Sequence, residues 1–549
     1  MKTVIIGGVA GGASAAARLR RLSEQAQIIL LERGDFVSFA NCGLPYYIGG
    51  VIGEQADLTL QTPESFYWRF RIDVRVRNEA VGIHPEKKTV SVKNLDTGEI
   101  YEESYDSLIL SPGAKPAVPP IPGVEQENVF TLRSIPDAQK IKDYIHTAKP
   151  KSAVVIGGGY IGVEMAENLK NAGLQVSIVE QADHLIGSLD FDMAAEVHRA
   201  CRQAGIALYL KNGVRAIEGH TVFLENGRLP ADLILLSVGV RPETTLAETC
   251  GIATNERGQI LTDRQMRTNI PDIYAVGDAV AVKHFISEEP AFLPLAGPAN
   301  KQGRIAADVI MGGNAAYTGT QGSAILKLFQ YTIASTGLNE TTAAAAGIDY
   351  DKTYLFSAPH ATYYPGGTNM SIKVLWEKTS LRLIGAQIVG FDGVDKRMDV
   401  LATAIRFGAK VTDLTELELC YAPPFGSAKD PVNMIGFVAE NVTNGLVHQF
   451  FWHDVKDLPR DGSVFLLDVR TPAEVAGGKI DGFVNIPLDS LRENLSRIPK
   501  GKPVYVHCHS GLRSYIACRI LTGHGYTCYN LAGGWRLYAL ASSERSGRS

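Results

Sequence analysis

Short runs of aliphatic side chains, closed by glycine and followed by apolar positions at helical spacing, recur along this chain. The first is Val4-Ile5-Ile6, which opens onto Gly7-Gly8-Val9-Ala10-Gly11-Gly12 and then the alanine-rich ASAAARLRRL. That order predicts a strand, a tight turn and a helix. The stretch AQIILLER predicts the next strand, ending at Glu32 and Arg33. The same order returns in VVIGGGYIGVEMAENLKNAGLQVSIVE, where Gly157, Gly159 and Gly162 mark the turn and Glu180 ends the second strand. Alternation of this kind predicts α/β domains with parallel sheets. TNIPDIYAVGDAV predicts a strand ending at Asp278 with a helix after it. Towards the C-terminus, SVFLLDVR and GFVNIPL read as two strands and KPVYVHCHSGLRSYIACRILTGHGY as strand, loop and helix. CYNLAGGW ends this region with a strand and a Gly-Gly turn.

At 549 residues the chain is too long for one core and should divide into three or four domains. Basic residues number 54 and acidic residues 58, a balance that implies neither nucleic acid nor an anionic membrane as partner. No run is long and apolar enough for a membrane span, and the chain enters a strand directly, with no room for a cleavable signal. Seven scattered cysteines, none closely paired, suit a reducing, cytoplasmic setting better than a disulfide scaffold.

The glycine turns carry the first chemistry. A helix N-terminus directly after such a turn offers free N–H groups and a positive dipole end to a pyrophosphate. Glu32 and Glu180 stand where a ribose hydroxyl needs an acceptor. Val9 replaces the middle glycine of the first turn, with Gly8 and Gly11 keeping it small, whereas the second turn matches the pattern fully.

Two such motifs, with Asp278, the LILSPGA segment (Ser111, Pro112, Gly113) and LLSVGVRPE, make residues 1 to about 445 resemble the pyridine nucleotide–disulfide oxidoreductase family. The resemblance implies FAD at Gly7, Gly8, Val9, Ala10, Gly11, Gly12, Glu32, Arg33, Ser111, Pro112, Gly113 and Asp278. It implies NADH at Gly157, Gly159, Tyr160, Ile161, Gly162, Glu180 and Gly239. Glu180 would repel a 2′-phosphate, while Gln181 and His184 keep NADPH open.

Most reductases of this kind use two cysteines, but in SFANCGLPYY the position five after Cys42 is Tyr47. Cys42 must therefore pair with an incoming sulfur or cycle through its own oxidised form. SFANCGLPYYIGG resembles the coenzyme A–disulfide reductases of the single-cysteine branch. The branch's peroxidases and oxidases carry a histidine in the first glycine loop, where this chain has Ala10. Tyr421 in CYAPPFGSAKDPVN, and Tyr363 and Tyr364 in HATYYPGG, resemble tyrosines that reach a partner subunit's active cysteine, which implies a homodimer. Arg18 and Arg21 share a helix face about 14 Å beyond the turn and could hold the phosphates of coenzyme A, with Ser38 and Asn41 beside the thiol. A depressed thiol pKa at Cys42 is expected from the helix after it and from the flavin.

The C-terminal loop Cys508-His509-Ser510-Gly511-Leu512-Arg513-Ser514 has arginine five positions after cysteine, one sooner than in cysteine-loop phosphatases. Consecutive N–H groups before a helix form an anion nest for a thiolate or persulfide. With LLDVR, NIP and NLAGGW, residues 450 to 540 resemble rhodanese, the sulfurtransferase that carries sulfur as Cys–S–SH. Cys518 and Cys528 read as ordinary helix and strand cysteines.

The expected architecture is α/β: two Rossmann-like domains, an α+β dimerisation domain and a C-terminal α/β rhodanese domain. FAD-binding segments are expected at 1–115 and 245–320, the NAD(P)H domain at 116–244, dimerisation at 321–445 and rhodanese at 450–549. The whole chain resembles rhodanese-fused coenzyme A–disulfide reductases, also described as NADH-dependent persulfide reductases. That resemblance implies reduction of coenzyme A persulfide or disulfide at Cys42, with Cys508 drawing sulfane sulfur from polysulfide or another donor. Three alternatives stand beside it: thiol-pool maintenance by disulfide reduction, NADH oxidase or peroxidase activity, and a rhodanese domain that only docks sulfur to other proteins.

Overall fold

A computed structural model describes residues 1–546, which fall into two compact units. The first comprises residues 1–183 and 205–322 and holds two parallel five-stranded sheets. One runs in the order Ile273–Ala275, Ser107–Leu110, Lys2–Ile6, Gln27–Leu31, Asp73–Arg75. The other repeats the plan with Ala207–Tyr209, Gln175–Val179, Ser152–Ile156, Leu233–Leu236, Val129–Phe130. The inner strands are buried almost end to end, which explains their unbroken aliphatic runs: both faces of each sheet are covered. Each glycine turn follows a central strand, at the carboxyl edge where ligands bind in open α/β sheets. The two crossover segments meet as a ribbon, Ala114–Pro116 antiparallel to Val240–Pro242.

The second unit comprises residues 184–204 and 323–549, of which those up to 546 are described. Its antiparallel sheet runs Ala324–Leu328, Tyr331–Gly337, Leu383–Gly390, Met370–Glu377, Tyr350–Ser357. A parallel sheet follows, in the order His448–Phe450, Cys528–Leu531, Val504–His507, Phe465–Asp468, Val484–Asn485. The helix Phe191–Gln203, placed in sequence among the nicotinamide-binding elements, belongs with this unit. Buried charge holds it there. The Lys373 ammonium lies 2.8 Å from Asp190, 2.9 Å from Asp192 and 2.5 Å from Glu340. Asp192 also accepts from the Tyr354 hydroxyl and, at 3.3 Å, the Trp452 indole.

The α/β plan, with an antiparallel sheet after the two parallel ones and a C-terminal parallel domain, is the expected one. No helix among the described residues is long and apolar enough to cross a membrane.

Candidate functional site

Both glycine turns are built for close approach. Gly7 has φ +97° and Gly157 φ +108°. A Cβ on Gly12 would lie 1.9 Å from the Gly7 carbonyl oxygen, and one on Gly162 would lie 2.0 Å from that of Gly157. The helices that follow, Ala10–Leu22 and Tyr160–Asn171, begin at Val9 and Gly159 without a side-chain cap. Their first N–H groups are thus left for an anion. In the first turn, Gly303 of the helix Ala296–Ile310 packs so tightly that its Cβ would lie 2.2 Å from the Gly11 carbonyl oxygen. Close backbone approach and free N–H groups suit a compact anionic centre, and the pyrophosphate of a dinucleotide fits both turns.

The two strand-end carboxylates have the same job in each turn. Glu32 accepts the Gly8 N–H at 2.9 Å and the Gly34 N–H at 2.8 Å. Glu180 accepts the Gly158 N–H at 2.6 Å and the Ala182 N–H at 2.7 Å. Each carboxylate clips its turn shut. Arg33 is half exposed, within 4 Å of Glu79 and Glu243. Ser111 and Gly113 flank the crossover, with Ser111 bonded through its N–H to Ile6 and Gly113 at φ +72°. On the nicotinamide side Gly239 has φ +102° and Ile161 is exposed.

Asp278 departs from expectation. It lies in a turn after the strand Ile273–Ala275, and the next helix starts only at Ala296, because Pro290, Pro294 and a short hairpin intervene. Burial pushes its carboxyl up, while the nearby Arg133 guanidinium pulls it down. Arg133 itself is lowered by burial and faces Asp278, Arg33, Glu32 and Glu243. Sequence reading missed Arg133; its only local signal is the Ser134–Asp137 capping box that fixes the next helix.

Cys42 sits in the short 3₁₀ turn Asn41–Gly43, ahead of the helix Leu44–Ile48, and keeps solvent access. Its thiol is raised, by the protein atoms packed around it and by Glu164 and Asp278. The expected depression is therefore not supplied by the polypeptide. A helix of five residues has too small a dipole to offset two carboxylates. Glu164 accepts from the Tyr46 hydroxyl at 3.2 Å, and its own carboxyl is raised by burial. A carboxyl that holds its proton longer than usual thus lies beside the thiol, another feature not read from sequence. Ser38, at φ +48°, donates its N–H to the Gly8 carbonyl and ties the cysteine segment to the first turn. The Asn41 amide donates to the Arg133 carbonyl at 3.3 Å.

Arg18 and Arg21 differ. Arg18 is ion-paired to Asp308 at 2.6 Å, whereas Arg21 is exposed. Arg20 between them is buried and caps five backbone carbonyls, those of Ser23, Glu24, Ala26, Phe70 and Arg71. In the second unit Tyr363 and Tyr421 come together, hydroxyl to hydroxyl at 3.0 Å, with both side chains exposed. Tyr364 turns aside, edge-on to the His360 ring.

In the Cys508 loop one backbone N–H and one hydroxyl point at the sulfur. Cys508 follows the strand Val504–His507 and is fully buried. Its Sγ accepts the Gly511 N–H at 3.1 Å and the Ser514 hydroxyl at 3.2 Å. Gly511 turns the loop at φ +103°, and Leu512 and Arg513 begin the helix Leu512–Gly523. The Gly-Gly turn is required by contact as well: a Cβ on Gly534 would meet the Cys508 and His509 carbonyl oxygens at 2.8 Å. Trp535 donates its backbone N–H to the Cys508 carbonyl at 2.8 Å. Ser510 is half-buried and His509 exposed. All seven cysteines, Cys518 and Cys528 included, are free thiols.

Comparison with known proteins accords with this geometry. The family described as pyridine nucleotide-disulphide oxidoreductase matches residues 1–303. Its dimerisation domain matches 323–431, and a rhodanese-like domain matches 452–541. A coenzyme A disulfide reductase of Staphylococcus epidermidis is 37% identical over 441 residues, 80% of this chain and all of that protein. The solved structure of reduced CoADR-RHD from Bacillus anthracis is 48% identical, with TM-score 0.97 over 99% of this chain and 98% of that one. A NAD-dependent persulfide reductase from A. fulgidus is 38% identical, with TM-score 0.92 over 98% of this chain and all of that one. The chain belongs to the pyridine nucleotide–disulphide oxidoreductase family, flavin-dependent enzymes that bind FAD and NADH, and carries a rhodanese domain at its C-terminal end.

Proposed function

We propose that this enzyme uses NADH, through FAD, to reduce coenzyme A persulfide and coenzyme A disulfide at Cys42, with Cys508 as the carrier of sulfane sulfur. The observation that carries the reading is a solvent-accessible single thiol in a flavin-binding unit, in one chain with a second thiol seated in an anion nest. A single thiol needs a partner sulfur from outside, and the coenzyme A disulfide reductase and persulfide reductase relatives fit that need.

Cys42 as thiolate attacks the coenzyme A sulfur of CoA–S–SH. The S–S bond breaks, hydrosulfide leaves, and Cys42–S–S–CoA forms. Bound FAD supplies the path by which an electron pair from NADH returns this mixed disulfide to two thiols. The sum is CoA–S–SH + NADH + H⁺ → CoA–SH + H₂S + NAD⁺, and with coenzyme A disulfide a second coenzyme A thiol replaces H₂S. Attack has to wait for the raised Cys42 thiol to lose its proton, and the Glu164 carboxyl beside it holds and returns one. Arg21 and, less freely, Arg18 are the cations for coenzyme A phosphates, and a homodimer brings Tyr421 and Tyr363 to a partner's cysteine.

Two variants separate the parts. Cys42→Ser should lower NADH oxidation with coenzyme A disulfide by roughly a thousandfold or more, yet leave sulfur transfer from Cys508 to cyanide intact. Cys508→Ser should do the reverse for free coenzyme A disulfide. Loss of both activities in either variant would contradict the division of labour.

A further inference from the structure

Three arginines gather around the Cys508 loop, and each lies within reach of a carboxylate, though the one beside Arg536, Glu196, is shared with Arg199. Arg470 is buried against Asp468, with Nη2 2.7 Å from Oδ2, and stacks on the Trp535 ring. Arg536, which donates its backbone N–H to the His509 carbonyl, reaches Glu196 at 3.4 Å. Arg513, the loop's own arginine, forms a two-point pair with Glu474, at 2.8 and 2.6 Å. Partial desolvation of its ring, with Arg513, Arg536 and Arg470 nearby, lowers His509 and favours its neutral form. At the loop's own arginine, Arg513, the positive charge is locally compensated.

Glu474 is held by its own helix start as well as by Arg513. It is the third residue of the helix Pro472–Ala476 and closes a capping box with Thr471, accepting the Thr471 N–H at 2.9 Å. Local helix chemistry aims its carboxylate, and the arginine then takes both oxygens.

We propose that Glu474, by consuming the charge of Arg513, makes the Cys508 nest selective for organic persulfides, R–S–SH, over dianionic donors of the thiosulfate type. Thiosulfate carries its charge on the group that must leave as sulfite, next to the transferred sulfur. Its approach needs an unpaired cation at the loop, and an ionised carboxylate there repels it. An organic persulfide leaves as a thiol, with any phosphates far from the sulfur. Transfer then balances without net redox: Cys508 thiolate bonds the outer sulfur of R–S–SH, that S–S bond breaks, and R–S⁻ departs and takes a proton. Cys508–S–SH remains, its anion held by the Gly511 N–H and the Ser514 hydroxyl.

This inference rests on Cys508 as a sulfur carrier, and the experiment tells the two apart. Sulfur transfer to cyanide is measured on the FAD-loaded full-length enzyme with thiosulfate and with glutathione persulfide, for the wild type and for Glu474→Gln. Glutamine keeps the capping box, so the helix stays formed. The ratio of kcat/KM for thiosulfate to that for the persulfide should rise at least about tenfold in the variant, with the gain shrinking at high salt. Arg513→Met, which leaves Glu474 unpaired, should move the ratio the other way. Transfer from both donors with an unchanged ratio in both variants would overturn the selectivity and leave the carrier reading standing. No transfer from either donor in the wild type would overturn both.

Discussion

Two sulfur atoms in this chain stand in opposite electrostatic settings. Cys508 Sγ receives an N–H and an O–H from its own loop, whereas Cys42 has carboxylates for neighbours. The two donors at Cys508 suit the persulfide proposed for it. Beneath the nest, His507 is wholly buried, with Nε2 3.4 Å from Asp468 and Nδ1 3.3 Å from the Cys508 carbonyl. Burial pulls its pKa down to about 4. The unfolded chain takes up this proton near pH 6.5, and the folded chain refuses it until about 4. Its contribution to stability is therefore intact above pH 6.5 and is lost as pH falls from there towards 4, by on the order of 3 kcal/mol. We predict that thermal unfolding followed from pH 8 to 4 will show a steeper acid loss for the wild type than for His507→Asn. Parallel curves would remove His507 from the account.

At the scale of elements, the glycine turns, both crossovers and the strand–loop–helix around Cys508 were legible in the sequence because each is local. Spacing along the chain sets their geometry, and the glycines at Gly7, Gly157 and Gly511 announce positive φ. What was not legible depends on pairings distant in sequence. The helix after Asp278 was misplaced since a strand end predicts a turn but not its length. Glu164 and Arg133 act through burial, which a single sequence does not display. The same holds for Phe191–Gln203, whose place in the second unit is set by Lys373, more than 180 residues from Asp190 and Asp192. Replacing Lys373 by Met would leave these carboxylates buried without their cation, and we predict a loss of about 3–5 kcal/mol in urea unfolding. A loss below about 1 kcal/mol would show that the helix is held by apolar packing instead.

For the whole molecule, the order of domains was readable because each announces itself by a motif: two dinucleotide turns, a tyrosine-bearing segment and a cysteine loop. The proposed persulfide chemistry rests on the fusion itself: a rhodanese-like domain in one chain with a disulfide oxidoreductase would have sulfane sulfur as a common substrate. That claim is met most directly by anaerobic NADH oxidation, with kcat/KM compared for coenzyme A persulfide and coenzyme A disulfide and released sulfide counted. The account predicts a higher kcat/KM for the persulfide, with one sulfide released per NADH. A clear preference for the disulfide, or NADH oxidised without sulfide, would contradict it and return the enzyme to maintenance of the thiol pool.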